Sequence, residues 1–102
     1  MCTSYLIRKI VAGRQIDFCL INNTIYSVFN DQCNEFVVSD QPIMDMVLSP
    51  FGLLSCTDER LSIIGTHGVI PIAEGDFYSL YNDGDRIYAA MKDGNIWQLN
   101  LH

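Results

Sequence analysis

Turn-forming residues interrupt this chain every eight to twelve residues or so, the spacing of short antiparallel strands rather than of helices. The interruptions include Ala12-Gly13-Arg14, Asn22-Asn23, Asn30-Asp31, Ser39-Asp40-Gln41-Pro42, Ser49-Pro50-Phe51-Gly52 and Thr57-Asp58-Glu59. Thr66-His67-Gly68, Glu74-Gly75-Asp76, Asn82-Asp83-Gly84-Asp85 and Lys92-Asp93-Gly94-Asn95 continue the series. Asp83-Gly84 and Asp93-Gly94 are the strongest hairpin signals, because tight hairpin turns need the positive φ that glycine adopts without strain. Between the breaks lie apolar runs that predict eleven strands, at residues 5–11, 16–21, 24–29, 35–38, 43–48, 52–56, 61–64, 69–73, 77–81, 86–91 and 95–101. Residues 40–48 also fit a turn or two of helix.

Composition points the same way. Four alanines and three glutamates, both good helix formers, stand against nine aspartates and seven glycines. The remaining residues are rich in the β-branched and aromatic side chains that pack well on a pleated surface. We read the chain as all-β, a single domain over residues 1–102. A chain of this size buries only about 60–65% of its unfolded surface, so its core is thin and self-association would help it.

The strands also recur in sets. Asp17-Phe18, Asp45-Met46 and Asp76-Phe77 each open a strand, at intervals of 28 and 31 residues, and a turn and second strand follow each. The resulting repeats are 15–40, 43–74 and 75–101, with the N-terminal strand 5–11 expected to pair beside Leu99-Asn100-Leu101 and complete the last one. The closing stretch Asp93-Gly94-Asn95-Ile96-Trp97-Gln98-Leu99 resembles a repeat of the kelch or WD-repeat type of β-propeller, although neither Gly-His nor Trp-Asp occurs. The resemblance implies hairpin sheets arranged as propeller blades; a small barrel or a sandwich is the alternative. Because propellers carry about four to eight blades, three would need a second chain, and a homodimer is expected.

The net charge is −6, with only Arg8, Lys9, Arg14, Arg60, Arg86 and Lys92 as cations. Affinity for a duplex comes from neutralising phosphates, so no duplex nucleic acid is expected as partner. Arg8, Lys9 and Arg14 read as a solvated strand edge, where charge discourages unwanted pairing. No run approaches the ~20 apolar residues of a membrane span, and the opening residues read as neither signal peptide nor anchor. A cytoplasmic protein without a membrane partner is expected. Cys2, Cys19, Cys33 and Cys56 are 17, 14 and 23 residues apart. These are not the close spacings of a zinc or redox motif, and four reduced thiols are the simplest reading.

No catalytic, metal or cofactor motif is present, so a non-enzymatic module is expected. Asp31, Asp58, Asp83, Asp85 and Asp93 fall in turns, where carboxylates cap backbone N–H groups. An enzyme would have to use Cys56, the cysteine with the most polar neighbours, or a pair of these carboxylates. Tyrosine and tryptophan combine apolar area with a polar tip, which suits an interface or pocket. Arg60 and Arg86 precede strands that look equivalent, so Arg60, Arg86, Tyr88, Trp97 and His67 form the candidate site for a protein or small anionic ligand. It would be held by loops at one end of the strands. A different class of function is a small acidic inhibitor or decoy, of the phage anti-defence type, that covers a basic surface or sequesters a charged metabolite.

Overall fold

The computed structural model describes residues 7–65 and 68–101. Among these residues the chain forms eleven strands and no helix, in three sheets of four, four and three strands, every pairing antiparallel. Asp45–Ser49 is a strand, and no helical turn forms over 40–48. The chain divides into two compact units, Met1–Ile43 and Met44–His102.

The first unit holds one meandering sheet: β1 (Ile7–Val11), β2 (Asp17–Ile21), β3 (Thr24–Phe29) and β4 (Gln32–Val38). Its hairpins turn on local chemistry. Asn22, Asn30 and Asp31 have φ of 56°, 50° and 62°, the left-handed region that asparagine and aspartate tolerate best after glycine. Leu20 and Ile25 face each other across β2 and β3 and are almost wholly buried. Phe18, on the same face as Leu20, packs against Phe36 with ring centroids 5.3 Å apart and planes tilted by 50°. Arg8 donates from Nη1 to the Ile43 carbonyl at 2.7 Å, tying β1 to the segment that follows β4.

β1 pairs with β2, Ile10 opposite Cys19, and so opens the first sheet rather than completing the last repeat. The first repeat, 15–40, is therefore out of phase with its sheet, whereas 43–74 and 75–101 enclose the second and third sheets. Asp17 begins the second strand of its sheet, whereas Asp45 begins the first strand of the second sheet and Asp76 immediately precedes the first strand of the third. The reason is that an aspartate at a strand start reports a turn, and every strand of a meander starts at a turn.

The second unit holds two sheets. One is β5 (Asp45–Ser49), β6 (Gly52–Cys56), β7 (Arg60–Gly65) and β8 (Gly68–Glu74); the other is β9 (Phe77–Asn82), β10 (Arg86–Met91) and β11 (Ile96–Asn100). Because facing residues of antiparallel strands share a side of the sheet, the register assigns the faces. Val47, Leu54 and Ile63 align across the second sheet, as do Cys56 and Leu61. In the third sheet Leu80, Ala89 and Trp97 align, and beside them Ile87 and Leu99. These two sets pack into one core, with Leu54, Cys56, Leu61, Phe77, Ile87 and Ala89 fully buried. Each fully buried Leu, Ile or Phe contributes about 1.5–3 kcal/mol.

Two side chains join the sheets where no ladder does. Asp45, at the start of β5, accepts from the Leu80 N–H of β9 at 2.7 Å. Asn82, at the end of β9, donates from Nδ2 to the Leu48 carbonyl at 2.8 Å. β5 and β9 thus lie side by side, with both halves of β5 clipped to the second half of β9.

A candidate interaction surface on the third sheet

The turn from β9 to β10 sets the site. Asp83 Oδ1 accepts from the N–H groups of Asp85 at 2.9 Å and Arg86 at 2.8 Å, while Gly84 takes a φ of 97°. The Arg86 N–H, followed by that of Asp85, holds the Asp83 carboxyl below the usual carboxylate range. This turn delivers Arg86 to the first position of β10, on the side of the sheet facing away from the core. Its Nε donates to Asn100 Oδ1 at 3.2 Å, and its Nη1 reaches the Tyr88 hydroxyl at 3.5 Å. That contact with Tyr88 is the main cause of a guanidinium pKa raised above its already high ordinary value.

Alternation along β10 then completes the face. Tyr88 lies between Tyr81 and Gln98, and Ala90 between Ser79 and Ile96. Tyr81 is 63% exposed and Ile96 68%. Tyr78, at the bulge between Ala90 and Met91 pairings, is also exposed. One side of the third sheet is thus core, and the other presents aromatic and apolar area beside an arginine. Tyr, Trp and Arg are the residues that carry most energy in protein contacts.

The five candidates from the sequence do not converge. Arg86 and Tyr88 come together. Trp97 aligns with Ala89 and Leu80 on the opposite side of the sheet and packs against the core. Arg60 opens the third strand of its sheet and Arg86 the second strand of its own, so the two positions are not equivalent. They also lie at opposite ends of β9. Arg60 adjoins Thr57, whose carbonyl accepts from the Phe77 N–H at the start of β9, whereas Arg86 follows the turn at its end. Arg60 Nη2 pairs instead with the Glu59 carboxylate at 3.3 Å. An anion-holding rim shared by Arg60 and Arg86 is not built. His67 lies outside the described residues.

Other expectations also change. In the turn between β6 and β7 the cap is Thr57 rather than Asp58: its Oγ1 accepts from the Glu59 and Arg60 N–H groups at 3.1 and 3.2 Å. Cys56 sits in the core at 0% exposure, out of reach of a substrate. Cys19 is likewise a buried thiol, and its burial raises its pKa. Cys33 is disulfide-bonded, so the reading of four reduced thiols does not hold. Among the described residues no three His, Cys, Asp or Glu side chains gather as a metal site. Nor is any helix there long and apolar enough to cross a membrane. The exposed pair Tyr81 and Ile96 escaped sequence reading, because exposure depends on which side of the sheet the core occupies.

The fold and this surface define an all-β protein of meandering antiparallel sheets. No family model matches the chain, and no curated protein matches it. Among solved structures it is similar to the computationally designed Ika4 protein, with a TM-score of 0.68 at 11% identity over 94% of this chain. It spans 66% of that chain, just under two thirds of its length. At this identity the likeness concerns the fold alone.

Proposed function

We propose that this chain is a non-enzymatic binding and assembly module that works as a homo-oligomer, its sheets serving as blades of a propeller-like stack. One observation carries the reading: the outward side of β9–β11, with Tyr81, Tyr88, Ile96 and Arg86. Apolar area of this kind beside an arginine is characteristic of protein interfaces rather than of a bare solvent face. The thin core of a short chain supplies a thermodynamic motive for assembly. Concentration-dependent sedimentation tests it. A species heavier than one chain is expected at micromolar concentration, and a single chain at every concentration refutes the assembly reading.

The exposed acidic turns at Asp83, Asp85 and Asp93 favour a second reading, in which the chain covers a basic partner surface. Affinity for a lysine-rich peptide that falls steeply between low and moderate salt supports it, since screening acts over about 10 Å at 0.1 M. Salt-independent binding, or none, counts against it.

A further inference from the structure

We infer that the outward side of the third sheet is covered by a second copy of this chain, stacked so that the partner's first strand lies beside β9 as β9 lies beside β5. This rests on the assembly reading above and adds what docks, and where.

The second sheet carries its forward-facing side in covered form. Its Val47–Leu54–Ile63 and Cys56–Leu61 rows face the third sheet and are sealed by Phe77, Leu80, Ile87 and Ala89. The outward rows one sheet further on are Tyr81–Tyr88–Gln98 and Ser79–Ala90–Ile96. Counted from Asp45 and Asp76, Ser79–Ala90–Ile96 holds the ladder position of Val47–Leu54–Ile63, and Tyr81–Tyr88–Gln98 lies further along at the position of Ser49–Gly52, with nothing of the third sheet's own left to seal either row. What covers such rows within this molecule is another sheet of the same chain, opening with a strand laid beside the first strand.

The clip between sheets repeats as well. Asp45 stands before the buried Met46 and reaches forward to the Leu80 N–H. Asp76 stands in the same relation to the buried Phe77, and its Oδ1 is buried without a hydrogen-bond partner. Lys92 Nζ lies 3.7 Å from that oxygen, which supplies charge but is too long for a hydrogen bond. Because Oδ1 is closed off within the chain while 47% of the Asp76 side chain is exposed, it is the outer oxygen, Oδ2, that stands where, one sheet earlier, the neighbouring strand donates a backbone N–H.

The first strand of a second copy suits that place. β1 is the edge of its sheet, so one row of its N–H groups pairs with no other strand among the described residues. Ile10 on it is 64% exposed. The segment also concentrates cations, with Arg8, Lys9 and Arg14 making three of the six in the chain. The target face carries Arg86 and is bordered by Asp83 and Asp85 at one end and by Asp76, Lys92 and Asp93 at the other, four acids against two cations. Opposite charge on the two surfaces steers the approach and opposes self-pairing of like faces. The contact is heterologous, face against first strand, and closes only if the rotation between copies allows.

Sedimentation of Tyr81→Glu, Ile10→Glu and their mixture tests this, with far-UV circular dichroism on each variant to confirm unchanged β structure. Both sites are exposed, so folding should survive. Each variant alone should associate roughly tenfold or more weakly than the parent chain. Mixing them should restore a 1:1 complex, because one intact face meets one intact first strand. Should the parent chain assemble while the mixture stays dissociated, or while Ile10→Glu has no effect, the stacking is wrong and the assembly reading stands. If the parent chain is itself a monomer throughout, both fall. Should a variant lose β structure, the milder Tyr81→Ser and Ile10→Ser take its place under the same criteria.

Discussion

Replacing Asp45 by alanine should destabilise the second unit well beyond what its partly exposed position suggests. The carboxylate accepts from the Leu80 N–H at 2.7 Å, a charge-assisted length, and also from its neighbour, the Met46 N–H, at 2.9 Å. Leu80 is only 5% exposed, so water cannot take over as acceptor without opening the contact between β5 and β9. A hydrogen bond to a charged group contributes about 1.5–3 kcal/mol, and orphaning a buried donor costs about 1–3. The two figures describe one event seen from both partners, so the expected loss is about 2–3 kcal/mol rather than their sum. For a chain of this size each kcal/mol moves the midpoint by about 4–8 °C, which predicts a fall of roughly 8–24 °C. Asp45→Asn keeps one acceptor oxygen and should lose about half as much. The assay is urea unfolding followed by circular dichroism, with thermal melts alongside. An alanine variant within about 0.5 kcal/mol of the parent would refute the clip. So would an asparagine variant as damaged as alanine, since the acceptor, not the size of the side chain, is held responsible.

Three further outcomes follow from particular residues. Gly52 has a φ of 132°, and a Cβ there would sit 2.8 Å from the Ile64 carbonyl oxygen, a backbone atom that cannot swing aside. Gly52→Ala should therefore cost about 1–3 kcal/mol, and a neutral result in urea unfolding would contradict the strain. The Asp83 carboxyl is depressed in the folded state, so its stabilisation of the β9–β10 turn is present above its ordinary value of 3.8 and is lost as pH falls through the lower folded value. The melting difference between the parent chain and Asp83→Asn should shrink toward zero as acidification passes through that lower value, and a difference that stays constant from neutral pH into strong acid would sink the assignment. Burial raises the Cys19 thiol, so at pH 8 iodoacetamide should modify it far more slowly in the native protein than after unfolding. Equal rates would mean that Cys19 is not buried.

Strand positions were legible in the residues because turn chemistry is local. Asn30 and Asp31 both take positive φ, as do Gly84 and Gly94 after their aspartates, and the runs Thr24–Phe29, Gly52–Cys56 and Arg86–Met91 match the strands residue for residue. What local chemistry cannot express is membership. Any strand of a meander can begin with an aspartate, so only the pairing of β1 with β2 reveals where the first sheet starts. Nor can alternation say which side of a strand is inside. Tyr88 and Trp97 are both amphipathic aromatics, yet the register aligns one with Tyr81 on the open face and the other with Ala89 above the core. Arg60 and Arg86 look alike in sequence and end up at opposite ends of β9, because one follows an odd number of reversals from the start of its sheet and the other an even number. Residue types decided where the chain runs straight and where it reverses; burial between segments far apart in sequence decided which strands share a sheet, which faces meet, and which tyrosines remain outside.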